Sequence, residues 1–115
     1  MKNTHIHTVH QYSKKELSQA SSIFFGTLVS EQRLHIIQLL RKNKLAVNEL
    51  MHELAIEQSA LSHDLARLRK CGFVTVQQKG KYRVYALAED IRALMHLIDE
   101  HMKRYCVHIV RSEKK

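Results

Sequence analysis

Gln58, Ser59, Ser62, His63, Arg67 and Lys70 crowd polar and basic side chains into the stretch "QSALSHDLARLRKCGFV", residues 58–74. On a helix, Leu61, Leu65 and Leu68 repeat at steps of four and three and form an apolar stripe. Ser59, Ser62, His63, Ala66 and Arg67 then fall on the opposite face. Small hydroxyls let a helix approach another surface closely, and Ser, His and Arg donate hydrogen bonds to phosphates or to base edges. From Gln58 to Arg83 six Lys or Arg residues stand against one acid, Asp64. A solvated helix face is the plain alternative, but the position of this helix after a short turn and before a basic hairpin favours double-stranded DNA.

The hairpin lies in "FVTVQQKGKYRVYAL", two β-rich runs around Lys79-Gly80-Lys81. Lys79, Lys81 and Arg83 are expected at its tip or on one side, where they would lie along a phosphate backbone. Charges on a hairpin also serve simply to prevent edge pairing.

These groups need elements to hold them. Ser13 followed by Glu16 matches a capping box and opens a helix over 14–27, with Leu17, Ala20, Ile23, Phe24 and Leu28 at helical spacing. Ser30 caps a second helix that carries Leu34, Ile36, Ile37, Leu39 and Leu40 and ends near Asn43. A third spans Val47 to Leu54, and only Ala55 to Glu57 separate it from the Gln58 helix, a helix-turn-helix. Gly72 is placed to end the reading helix. One long helix is expected from Glu89 to about His108, with Ile91, Leu94, Met95, Ile98, Met102 and Tyr105 along one stripe. The expected organisation is a polar arm over 1–12, a domain over 13–110 and a polar tail over 111–115. The expected fold class is mainly α with a β-hairpin wing.

Composition bounds the partners. The 115 residues carry a net charge of +8, so an anionic partner, nucleic acid or an acidic membrane surface, is indicated. No apolar run approaches the roughly 20 residues of a membrane span, and Met1 to His10 lacks the apolar core of a signal peptide, so a cytoplasmic location is expected. Two cysteines, Cys71 and Cys106, give no disulfide framework and match a reducing compartment. Three glycines and no proline favour a mostly helical chain. An enzyme is not expected: the nine histidines show no His/carboxylate constellation at ligand spacing for metal-assisted hydrolysis.

The order of elements, with "RLHIIQLL", "VNELMHEL", "QSALSHDLARLRKCGFV" and "YRVYAL", resembles the ArsR/SmtB family of winged-helix repressors over about residues 17–108. Its most specific part is the pattern Ser59, Ser62, Leu65, Leu68, Gly72. The resemblance implies a homodimer that binds a two-fold operator and responds to an inducer. Many members of the family carry His or Leu where this chain has Asp64; an acid there would accept from a cytosine amino group, cap the helix or repel DNA. Periodicity alone leaves two uses for the apolar stripe of the last helix, closing the monomer core or pairing with a second copy. The resemblance implies the second, through the first and last helices, with Ile23, Phe24, Leu94, Ile98, Met102 and Tyr105 at the interface.

The family's inducer sites are matched only in fragments. "VNELMHEL" has none of the cysteines of the third-helix thiolate site, and on the last helix Asp90 matches but Arg92 stands where histidine is expected. His5, His7 and His10 on the arm, with His101, are the remaining candidates for a transition-metal inducer such as Zn²⁺, Ni²⁺ or Cu²⁺. A solvated polar arm is the alternative. The branch that senses sulfide or oxidants uses two cysteines; Gln38 stands at the first position and Cys106 lies near the second. Cys106 could react singly if Lys103 or Arg104 stabilises its thiolate, whereas Cys71 reads as a small buried filler. A second functional class stays open, a winged-helix module that coats DNA or binds proteins without an inducer.

Overall fold

Ser13 opens the first helix with the reciprocal bonds that its spacing from Glu16 predicts: Glu16 N donates to Ser13 Oγ and Ser13 N to Glu16 Oε1, both at 3.0 Å. The computed structural model describes residues 11–113. Helix α1 (Lys14–Val29) runs two residues past its expected end, to a chain bend at Ser30. Ser30 then caps α2 (Glu31–Lys42), accepting from Arg33 N at 3.2 Å. The caps supply partners to amides that the first helical turn leaves unpaired.

Helix α3 (Val47–Leu54) and helix α4 (Gln58–Lys70) occupy the expected ranges. Ala55 turns the chain between them in the left-handed region, φ 53° and ψ 46°, at a cost of about 1–2 kcal/mol. Gly72, at φ +80°, closes α4: Gly72 N donates to Arg69 O at 3.0 Å and Phe73 N to Leu68 O at 2.9 Å. That pair of bonds is the Schellman arrangement, and it sends the chain straight into the sheet.

Strands β2 (Val74–Lys79) and β3 (Tyr82–Leu87) form the hairpin, antiparallel, with Lys79 opposite Tyr82 across the two-residue turn. Gly80 sits first in that turn at φ +61°, the conformation that matches the twist of the flanking strands. A two-residue strand β1 (Leu45–Ala46) adds to the other edge of β3, giving the order β1-β3-β2. Two residues carry no readable alternation, and β1 was not expected.

The long last helix divides. Helix α5 (Glu89–Arg104) ends at Tyr105, and α6 (Cys106–Glu113) follows as a separate element, so there are six helices among the described residues rather than about five. The break falls where Tyr-Cys-Val-His-Ile-Val replaces better helix formers. The expected polar tail from Arg111 is helical as far as Glu113.

The core joins Ile36, Ile37 and Leu40 of α2, Leu50 of α3, Leu61, Leu65 and Leu68 of α4, Phe73, Val74, Tyr85 and Leu87 of the hairpin, and Ile91 and Met95 of α5. The apolar stripe of α4 is therefore wholly spent on the interior, which turns its polar side outward. No helix among the described residues is long and apolar enough to cross a membrane.

Candidate nucleic-acid interface

Helix α4 and the hairpin enclose a groove of about 830 Å³. Gln58, Ser62, Ala66 and Arg69 line it from α4 at steps of four, four and three, one stripe of the helix. Lys70 completes that wall, and Lys81, Tyr82, Arg83 and Tyr85 form the opposite one. Four cations, Arg69, Lys70, Lys81 and Arg83, thus face one concavity whose lining holds no acid. Lys81 Nζ lies 5.7 Å from the Tyr82 ring centre and Arg83 Cζ 5.8 Å from that of Tyr85. These cation–π contacts hold the wing charges along the groove.

Ser59 and His63 are exposed one residue further round the helix, on the outer shoulder of the groove. Lys79 does not join it. Alternation along the strands puts Arg83 on the face of Tyr85 and Leu87 and the Lys79–Tyr82 pair on the other; of that pair only Tyr82, beside the turn, reaches the groove lining. Lys79, Lys81 and Arg83 thus gather at the hairpin tip, but only Lys81 and Arg83 line the groove.

Two further side chains of α4 turn inward. Arg67 Nε donates to Thr27 Oγ1 at 2.9 Å, against α1 rather than outward as expected. Asp64 accepts from Arg33 Nη1 at 3.1 Å, with both side chains about 15% exposed (16% and 14%). The acid is therefore tied to α2, which removes its charge from the reading surface. Arg69 is the residue that sequence reasoning passed over. Its signal was available, since it continues the Gln58, Ser62, Ala66 spacing.

The apolar residues expected between two copies divide as well. Phe24 packs on Phe73, with ring centres 4.9 Å apart, and Leu94 and Ile98 pack partly buried against the core of their own chain. Ile23, Met102 and Tyr105 remain exposed, as do Leu17, Phe25 and Val29 of α1, Leu97 of α5 and Ile109 and Val110 of α6.

Among the described residues no three His, Cys, Asp or Glu side chains gather to hold a metal ion. His5, His7 and His10 lie outside the described residues. The exposed His101 ring stacks on Tyr105 at 4.8 Å. Asp99, near it on α5, is gripped by Arg41 through Nη1–Oδ1 at 3.2 Å and Nη2–Oδ2 at 2.5 Å. The hydrogen bond from Arg41 holds the Asp99 carboxyl below the ordinary carboxylate range, outweighing desolvation. Arg92, which stands where the family's histidine is expected, donates from Nη1 to Arg41 O at 2.8 Å. Cys106 is exposed and Cys71 half-buried.

A helix-turn-helix whose second helix faces a basic hairpin across an acid-free groove defines a winged helix-turn-helix DNA-binding protein. The family model for the bacterial regulatory proteins of the arsR family matches residues 30–76. The chain is 32% identical over 90 residues to the transcriptional activator HlyU of Vibrio cholerae, spanning 77% of this chain and 81% of HlyU. It is 37% identical over 86 residues to the transcriptional regulator NmtR of Mycobacterium tuberculosis, spanning 72% of this chain and 70% of NmtR. The crystal structure of Rv0081 from M. tuberculosis superposes with a TM-score of 0.75 at 30% identity, covering 82% of this chain and 96% of that one. The chain belongs to the arsR family and is a DNA-binding transcriptional regulator, not an enzyme.

Proposed function

We propose that the protein is a homodimeric repressor that binds a two-fold operator, seating α4 in the major groove and the hairpin tip on the phosphate backbone. The observation that carries this reading is the acid-free groove with Arg69, Lys70, Lys81 and Arg83. Gln58, Ser59, Ser62 and His63 are the base-reading or backbone-positioning groups, and the four cations contact phosphates. Two protomers are needed because a palindromic site matches a two-fold protein. The exposed apolar residues of α1, α5 and α6 support a second copy covering them, since contiguous exposed apolar surface marks interaction sites. The shape agrees: the radius of gyration is 16.6 Å, against about 13 Å for a compact domain of about 100 residues.

The inducer in this reading is an oxidant or reactive sulfur species acting at Cys106, an exposed thiol amid the apolar residues Tyr105, Ile109 and Val110 of the proposed interface. The test is a DNA-binding titration of the reduced, metal-free protein followed by footprinting, repeated with zinc and with an oxidant or persulfide. A footprint over one palindrome that is lost on oxidation, and retained in oxidised Cys106→Ser, is the expected outcome. Uniform coating of DNA would replace this reading with that of a non-specific DNA-coating module. Release by zinc alone would move the sensor to the histidines.

A further inference from the structure

Thr27 is the one polar side chain that is fully buried among the described residues, at 0% exposure. A hydroxyl in such a place is costly unless every partner is present, and here they are. Its Oγ1 donates to Ile23 O at 2.7 Å and accepts from Arg67 Nε at 2.9 Å. With its single proton committed to Ile23, Thr27 Oγ1 acts as acceptor for the Cys71 thiol, 3.4 Å away. The Thr27 carbonyl accepts from Arg33 Nε at 2.8 Å, and the same guanidinium reaches Asp64 at 3.1 Å.

Thr27, directly and through Arg33, therefore holds positions 64, 67 and 71, which fall at steps of three and four along a single stripe of the reading helix and its C-cap. The apolar stripe beside it, Leu61, Leu65 and Leu68, resists separation of α4 from the core but is non-directional and tolerates small rotations. Hydrogen bonds do not, because they weaken steeply off axis. On a helix about 5–6 Å in radius, a turn of ~10° carries a side-chain tip ~1 Å, enough to spoil a base contact.

We infer that Thr27, acting with Arg33, is a positioning residue for operator recognition: it sets the rotation of α4 about its axis and keeps Arg67 off the phosphates. The inference rests on the proposed operator binding. It also makes α1, the helix offered to a second copy, the element from which the reading helix takes its bearing.

The test compares Thr27→Val, which keeps the shape and removes the hydroxyl, with Thr27→Ser, which keeps the hydroxyl. Binding to the footprinted operator and to a random duplex is measured across a salt series, with thermal melting alongside. Thr27→Val is expected to lower the operator-to-random affinity ratio by about tenfold, the scale of one lost base contact. It should also steepen the salt slope on random DNA by about 0.9 per subunit as Arg67 is released to a phosphate. Thr27→Ser should restore both, and adding Arg67→Gln to Thr27→Val should return the slope to its original value. Where Thr27→Val does not fold, Asp64→Asn breaks the Arg33 limb at a part-exposed site and should lower the same ratio. An unchanged ratio, or equal weakening on both duplexes in step with lost thermal stability, overturns the inference. A wild-type protein without operator preference overturns the functional reading itself, so the two failures are distinguishable.

Discussion

The placement of Lys81 and Arg83 in the groove, with Lys79 outside it, sets up a quantitative test of the groove. Each phosphate neutralised on B-DNA contributes about −0.9 to the slope of log affinity against log salt. Arg69, Lys70, Lys81 and Arg83 in each of two protomers make eight such contacts, a slope of about −7. Replacing Lys81 and Arg83 with Ala removes half of them and should leave about −3.6. Between about 50 and 200 mM salt the wild type should then lose affinity about 10⁴-fold and the variant only about 10²-fold. The assay is fluorescence anisotropy on a labelled random duplex, where base contacts play no part. Lys79→Ala is the internal control: its side chain stands on the other face of the hairpin, and the slope should change by less than about 0.5. A Lys79 variant that flattens the slope as much as Arg83→Ala would refute the assignment of faces. A Lys81/Arg83 double variant with lost affinity but an unchanged slope would mean that the hairpin acts through folding.

Ser62→Ala and His63→Ala should weaken operator binding more than random binding, by about 1–3 kcal/mol for a good base contact, and equal loss on both would assign them to the backbone. Leu97→Glu, at a site 67% exposed in the single chain, should leave the fold intact yet sediment as a monomer and lose the operator; a folded dimer would displace the interface from α5. Asp99→Asn removes a carboxylate whose folded-state pKa is lowered by the hydrogen bond from Arg41. Its stabilising effect is therefore present above the unfolded carboxylate value of about 3.9 and lost as pH falls through the lower folded value. The melting gap between wild type and Asp99→Asn should accordingly be open near pH 7 and close in acid; a gap unchanged into acid would deny the pairing its role.

Much of the fold was legible because its signals are local. Ser13 with Glu16, Ser30 before Glu31 and Gly72 after Lys70 act through bonds spanning a few residues, and each ends or opens a helix as its spacing predicts. The core stripe of α4 follows from helical geometry alone. The short strand β1 was hidden because it exists only by pairing with β3, remote in the chain. The break at Tyr105 was hidden because the apolar repeat runs through it unchanged.

By itself the sequence determined the helix-turn-helix, the hairpin and the excess of cations beside the reading helix, since these depend on caps, turns and composition. Only the tertiary structure decided which cations share the groove. Arg69 and Arg67 are two residues apart on one helix, yet one faces the wing and the other is bound to Thr27, 40 residues earlier. Asp64 reads as an acid on the DNA side until Arg33 of α2 is seen to hold it. Likewise the stripe of α5 is uniform in sequence, but Leu94 and Ile98 pack on their own core while Leu97 and Met102 stay exposed. The reason is the same in each case. Periodicity fixes which residues share a face of an element, whereas the partner of that face is set by how separate elements cross, and no spacing along the chain records that.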